Sequence, residues 1–87
     1  MTYRIQRLVE TDVAVFGLSG ELDADHVAKL RELIAAEPLL RMRLDLADVT
    51  VVTQAGLRFL VWARGTGLEL VNCADYIRQW MATEEHS

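Results

Sequence analysis

Residues 41–46 alternate strictly between charged and apolar side chains, from Arg41 to Leu46. Because successive side chains of a strand point to opposite faces of a sheet, this pattern predicts a strand with one apolar face and one face in water. Helices can then cover only one side of the sheet. This strand therefore fits a sheet that helices cover on one face and leave open on the other.

Three further strands are predicted around this one. Residues 3–8 and 13–18 are short apolar runs separated by the polar turn of residues 10–12, which predicts an antiparallel hairpin. Residues 68–70 place an acidic residue between two leucines and form the last strand.

The first helix is predicted between the hairpin and the alternating strand. Asp23 has the short acceptor side chain of an N-cap, and Asp25 puts negative charge in the first turn, where the helix dipole favours it. Pro38 disfavours helical backbone at the preceding residue and ends the helix. Apolar residues follow the cap at helical spacing: Val27, Leu30 and Ile34.

Two more helices follow in the second half of the chain. One runs from about Gln54 to Arg64, with Gly65 and Gly67 ending it. Asn72 is the expected cap of the last helix, and the polar residues 83–87 are expected to fray. The last helix carries Tyr76 and Trp80, expected to cover the core, and Ile77 and Met81.

The element order is therefore β-β-α-β-α-β-α, an α/β class. Strands two, three and four are joined by helices, which makes them parallel with right-handed crossovers. If both crossovers run the same way, the helices share one face and the strand order is 1-2-3-4. The polar side chains of Arg43, Asp45 and Glu69 then lie on the uncovered face. A chain of 87 residues fits one domain, residues 1–87.

Composition excludes several classes of function. Nine basic against thirteen acidic residues give a net charge of −4, and a nucleic-acid-wrapping protein would need a basic stripe. No apolar run approaches the roughly 18 residues of a membrane span. Charged residues within the first ten do not fit a signal peptide, so we expect a cytoplasmic location. Cys73 is the only cysteine, which excludes an internal disulfide, and we expect it to serve packing.

Catalytic and metal-binding constellations are not evident. Ser19 and His26 form the only Ser/His pair outside the chain's end, and nothing around Ser19 is typical of a nucleophile elbow. Asp23, Asp25 and His26 crowd one helix start, but their spacing matches no calcium loop or zinc helix motif. Residues 65–67 follow a helix instead of opening one, unlike a phosphate-binding glycine loop. We expect no enzyme activity, no cofactor and no metal.

The start of the second helix is the most informative segment for function. Thr53 is an expected cap, and the small residues Ala55 and Gly56 form the first turn. Small side chains there suit either close approach of another molecule or tight packing of the helix on the sheet, and the residues alone leave both open. Phe59 and Trp62 face directions other than the core stripe, which favours a partner or dimer contact.

Several segments together resemble the STAS domain, the module of bacterial anti-sigma-factor antagonists. They are LSGELD at residues 18–23, LDLADVT at 44–50, AGL at 55–57 and LELVN at 68–72. The resemblance covers nearly the whole chain in the right order and spacing. It implies a four-stranded mixed sheet and a protein-binding module that acts in partner switching and transcription regulation.

In regulatory members of this family, a kinase that doubles as an anti-sigma factor phosphorylates a Ser at the start of the second helix. The unmodified domain binds that kinase and frees the sigma factor. Here the family's Asp-Ser pair falls on Thr53 and Gln54, and an amide cannot accept a phosphoryl group. Thr53 is the remaining hydroxyl, and its expected role as a cap argues against its modification. The resemblance places the partner surface at these residues: Asp23, Thr53, Gln54, Ala55, Gly56 and Leu57.

Two partners are consistent with this resemblance. The first is an anti-sigma factor of the kinase-like type, for which this chain acts as a constitutive or scaffold form of the antagonist because the acceptor Ser is missing. The second is the ATPase of a lipid-transporting ABC system, in which STAS domains serve as small cytoplasmic subunits. Neither partner requires nucleic acid or membrane insertion, and a dimer stays open.

Overall fold

A computed structural model describes residues 3–85, which form four strands and three helices. In chain order the elements are β1 (Tyr3–Glu10), β2 (Val13–Leu22), α1 (Ala24–Ala36), β3 (Arg41–Val52), α2 (Gln54–Gly65), β4 (Glu69–Val71) and α3 (Asp75–Glu85).

The four strands form one mixed sheet in the order β1-β2-β3-β4. β1 pairs antiparallel with β2, and β3 pairs parallel with both β2 and β4. The predicted α/β class, strand order and strand directions are confirmed. β3 continues to Val52, beyond the alternating residues 41–46, and two register shifts allow β2 and β3 to stay paired as far as Leu22 and Val52.

The core lies between the sheet and the helices. Leu44 of β3 pairs in register with Phe16 of β2 and with Leu70 of β4, and both Phe16 and Leu44 are fully buried. The helices contribute buried apolar side chains to the same cluster: Leu30 from α1, Leu57, Phe59 and Leu60 from α2, and Ile77 and Met81 from α3. The polar residues Arg43 and Asp45, which alternate with the buried leucines, lie on the other face, as predicted.

Several local predictions need correction. Gly65 was expected to follow α2, but it is the last residue of the helix, and Thr66 is the C-cap. Gly67 follows with a φ of 95°, which glycine adopts without strain. Asn72 does not cap α3. Its φ is 57°, and its side-chain amide donates to Asp45 Oδ1 over 3.0 Å.

The last helix is longer at one end and shorter at the other than predicted. It begins at Asp75, and the Ala74 carbonyl accepts the first helical hydrogen bond, from the amide of Arg78. It continues to Glu85, so residues 83–85 of the expected frayed tail are helical. Residues 86 and 87 lie outside the described part. No helix within residues 3–85 is long and apolar enough to span a bilayer.

Candidate protein-binding site

The turn between β3 and α2 is held by hydrogen bonds to one carbonyl group. The Thr53 amide donates to the Leu22 carbonyl over 3.1 Å, and the Thr53 hydroxyl donates to the same oxygen over 3.2 Å. The hydroxyl also accepts from the amide of Gly56 over 3.3 Å, which makes Thr53 the N-cap of α2, as predicted. The start of α2 is thus tied to the end of β2.

Gly56 has no room for a side chain. A Cβ built on it would lie 2.2 Å from the Leu22 carbonyl oxygen and 3.0 Å from the Leu22 side chain. Tight helix packing therefore explains why a glycine stands there. Ala55, one residue earlier, is exposed, so the packing explanation does not extend to it.

The six residues predicted for the partner surface divide into three pairs. Gln54 and Ala55 are exposed, and the two caps Asp23 and Thr53 are partly buried. Gly56 and Leu57 are buried, with Leu57 at 0% exposure, so neither offers a side chain to a partner. The structure brings the two caps close together, because Asp23 directly follows the residue to which Thr53 is bound.

The start of α1 resembles that of α2 in its capping. Asp23 accepts from the amide of His26 over 3.0 Å, as the sequence predicted. The His26 ring is fully buried, stacks on Tyr3 with centroids 4.3 Å apart, and has Nδ1 3.0 Å from the Glu21 carbonyl. A carbonyl can only accept, so Nδ1 carries the proton in this contact. His26 is therefore enclosed by the fold and is not presented at the surface.

An exposed stripe on α2 continues from the turn. Ala55, Arg58 and Trp62 are exposed and lie at helical spacing on one side of the helix, and Trp62 is 42% exposed. The Arg31 guanidinium of α1 lies 4.7 Å from the centroid of the Trp62 ring and 5.3 Å from that of Phe59. We call Gln54, Ala55, Arg58 and Trp62 the α2 stripe.

Two aromatic predictions have different outcomes, and one exposed residue was missed. Phe59 is only 1% exposed and belongs to the core, so its expected partner contact is wrong, whereas Trp62 is exposed. Trp80 packs against the core, but Tyr76 is 54% exposed. Val51, near the turn, is 50% exposed. Residues 49–52 are all β-branched, so the sequence does not show which of them point inward. The register shifts between β2 and β3 also interrupt the simple alternation of faces there.

Metal binding and thiol reactivity are the remaining candidates. Within residues 3–85 no three His, Cys, Asp or Glu side chains are grouped as a metal site requires. Burial raises the pKa of the Cys73 thiol, which favours the neutral and less reactive form.

The architecture is found in a known regulatory protein. A crystal structure of an anti-sigma-factor antagonist, a STAS domain from Rhodobacter sphaeroides, superposes with a TM-score of 0.50. The match covers 78% of this chain and 82% of that one, at 18% sequence identity. The chain therefore has the STAS fold that its motifs resemble. No protein-family model matches the sequence, and no curated protein does.

Proposed function

We propose that this chain is a non-catalytic, protein-binding regulatory module that contacts an anti-sigma factor through the α2 stripe. The observation that carries the proposal is the exposure of Gln54 and Ala55 on a helix start held rigidly by Thr53 and Leu22. The fold shared with an anti-sigma-factor antagonist supports the class of partner.

The chemistry of the α2 stripe suits a protein partner. Ala55 lets a second backbone approach the helix start closely, and Arg58 and Trp62 are residue types that dominate binding energy at protein interfaces. The Trp62 ring lies under the Arg31 guanidinium, which restricts its motion before binding. A side chain restricted in this way loses less conformational entropy when a partner covers it.

The same geometry argues for binding that phosphorylation does not switch. Gln54 occupies the position of the acceptor Ser in the resemblance and has no hydroxyl. The Thr53 hydroxyl donates its proton to Leu22 and accepts from Gly56, so an attack on a nucleotide would require breaking the cap. We infer that the module stays in its binding state, because no free hydroxyl at this turn can accept the phosphoryl group whose charge would repel a partner.

Intact-mass spectrometry tests the missing switch. The protein is incubated with ATP and a kinase-type anti-sigma factor, and we expect no gain in mass. For Gln54→Ser, we expect a small fraction of the molecules to gain about 80 Da, the mass of one phosphoryl group. A stoichiometric gain on the unchanged protein, mapped to Thr53, would contradict constitutive binding.

A variant pair tests the docking surface. Ala55→Arg adds bulk and charge at the helix start, and Ala82→Arg adds the same group at an exposed position of α3. Both proteins and the parent are used to capture partners from lysate of the source cells, with quantitative mass spectrometry. We expect an anti-sigma factor to be retained by the parent and by Ala82→Arg, and its affinity for Ala55→Arg to fall more than about tenfold.

The identity of the captured protein separates the two partners. Recovery of an ABC ATPase, lost with Ala55→Arg, would keep the docking surface but replace the anti-sigma factor as its partner. Equal capture of either protein by the parent and by both variants would refute the α2 stripe as the binding site.

A further inference from the structure

β1 is an edge strand with one hydrogen-bonding side unused. Its eight residues pair with β2, and no other strand within residues 3–85 pairs with its free edge. Natural proteins protect edge strands by keeping them short, by charged side chains, and by proline or a bulge. β1 carries charges, but it is eight residues long without proline, and its register with β2 is unbroken. It also presents two exposed apolar side chains, Leu8 at 58% and Val9 at 45% exposure.

We propose that β1 pairs antiparallel with β1 of a second copy of this chain, centred on Arg7, and joins two sheets into one of eight strands. A twofold axis perpendicular to the sheet relates two such antiparallel strands. That operation keeps the helices of both copies on the same face, so residues opposite one another must share a face. Opposite residues share a face only when the axis passes between the two copies of one residue, which is then the centre of the alignment.

Centring on Arg7 makes the strand complementary to itself. Arg4 then lies opposite Glu10 of the second copy, and the symmetry produces this oppositely charged pair twice. Ile5 lies opposite Val9, also twice, which covers an exposed apolar side chain with another apolar one. Cross-strand pairs of both kinds stabilise antiparallel sheets.

The neighbouring alignments lose these pairs. Centring on Gln6 sets Arg4 opposite Leu8 and Ile5 opposite Arg7, so Leu8 and Ile5 face charged side chains, and Val9 faces Tyr3. Centring on Leu8 removes Arg4 and Ile5 from the paired run altogether. The charges of β1 therefore select one register.

The two copies of Arg7 meet at the axis, where like charges would repel. Each Arg7 is already compensated within its own chain, because Nε lies 2.5 Å from Glu37 Oε1 and a terminal nitrogen 2.9 Å from Oε2. The Glu37 side chain is 1% exposed and fixed in place. Glu10, which lies 3.6 Å from Arg43, is still 60% exposed and open to a second copy.

A charge swap tests the register. Sedimentation equilibrium from about 10 μM to about 1 mM measures the dimer dissociation constant. Arg4→Glu and Glu10→Arg each place like charges opposite one another twice, and we expect each to raise that constant at least about tenfold. The double variant restores both pairs and is expected to return to within about threefold of the parent.

Cysteine cross-linking gives an independent measurement in a Cys73→Ser background. Arg7→Cys places two thiols opposite one another at the axis, where Cα atoms lie about 5 Å apart and a disulfide can form. The control Val9→Cys places its two thiols about 13 Å apart along the strands, beyond disulfide reach. We expect oxidation to cross-link the first variant rapidly and the second only slowly.

Three results would overturn the proposal. They are a protein that stays monomeric throughout the concentration range, a dimer whose constant does not respond to the charge swap, and equal cross-linking of the two cysteine variants. Circular dichroism confirms that each variant is folded. If the charge variants do not fold, the cysteine pair decides, and if Arg7→Cys does not fold without its contact to Glu37, the charge swap decides.

Discussion

The two faces of the sheet are built from alternate residues of the same strands but held in different ways. Leu44 is fully buried beneath the helices, whereas its neighbour Arg43 has 27% of its side chain exposed on the open face. There Arg43 contacts Glu69 at 3.4 Å and Glu10 at 3.6 Å, and Asp45 is bound by Asn72. Close packing stabilises the covered face, and solvated polar contacts, individually weak, occupy the other.

The largest expected effect is on the covered face. Leu44→Ala removes a fully buried side chain from the centre of the core and is expected to lower the free energy of unfolding by roughly 2–5 kcal/mol. Urea denaturation followed by circular dichroism measures it. A loss below about 1 kcal/mol would mean that the core collapses around the gap and that the covered face is not closely packed.

Replacing one glycine on each side of the sheet with alanine compares how the two sides tolerate an added methyl group. Gly56→Ala drives a Cβ against the Leu22 carbonyl, and the expected loss is about 1–3 kcal/mol. The matched control is Gly17→Ala on the open face, where the added Cβ meets only the Gln6 carbonyl oxygen at 3.7 Å. This control is expected to be neutral or stabilising by up to about 1 kcal/mol. Equal losses would erase the difference between the two faces.

Truncation on the open face is expected to have a smaller effect. Arg43→Ala removes two partly solvated ion contacts, and we expect the free energy of unfolding to change by less than about 1 kcal/mol. The same denaturation measurement, run beside Leu44→Ala, makes the comparison within one strand. Equal losses for the two variants would contradict a sheet covered on one side only.

The smallest expected effect is a pH dependence of the open face. The Asn72 amide, and after it the Ala47 amide, hydrogen-bond Asp45 and hold the pKa of its carboxyl below the usual range. A carboxyl with a lowered folded pKa adds stability above its unfolded pKa, and that stability disappears as pH falls through the folded pKa. Asn72→Ala should therefore make stability less sensitive to acidification below about pH 4. The free energy of unfolding is measured against pH for both proteins. An equal pH dependence for parent and variant across this range would show that the contact between Asn72 and Asp45 does not form.

The alternation of Arg43 and Leu44 contained enough information to predict the open face, and the helical connections predicted the strand order. Both depend on local periodicity and on the short reach of connections. The role of Asn72 could not be predicted in this way, because its partner Asp45 lies 27 residues earlier and competes with the helix cap. Neither could the burial of Phe59, which depends on Arg31 and on how three helices share one face.

At the candidate site, the cap at Thr53 could be predicted from its residue type and position. The separate roles of Ala55 and Gly56 could not, because both are small and only the position of Leu22 distinguishes them. The capping role of a side chain was therefore predictable from the sequence, whereas the exposure of neighbouring small residues depended on contacts with residues distant in the chain.

The Leu22 carbonyl also makes the start of α2 depend on contacts between residues far apart in the chain. Its hydrogen bond with the Thr53 hydroxyl joins residues 31 positions apart, and it can form only after α1 has crossed over and β3 has aligned beside β2. A partly folded chain would lack the closed turn, even if α2 were already helical. The closed start of α2 is therefore a product of long-range folding, and helix formation in residues 54–65 alone does not produce it.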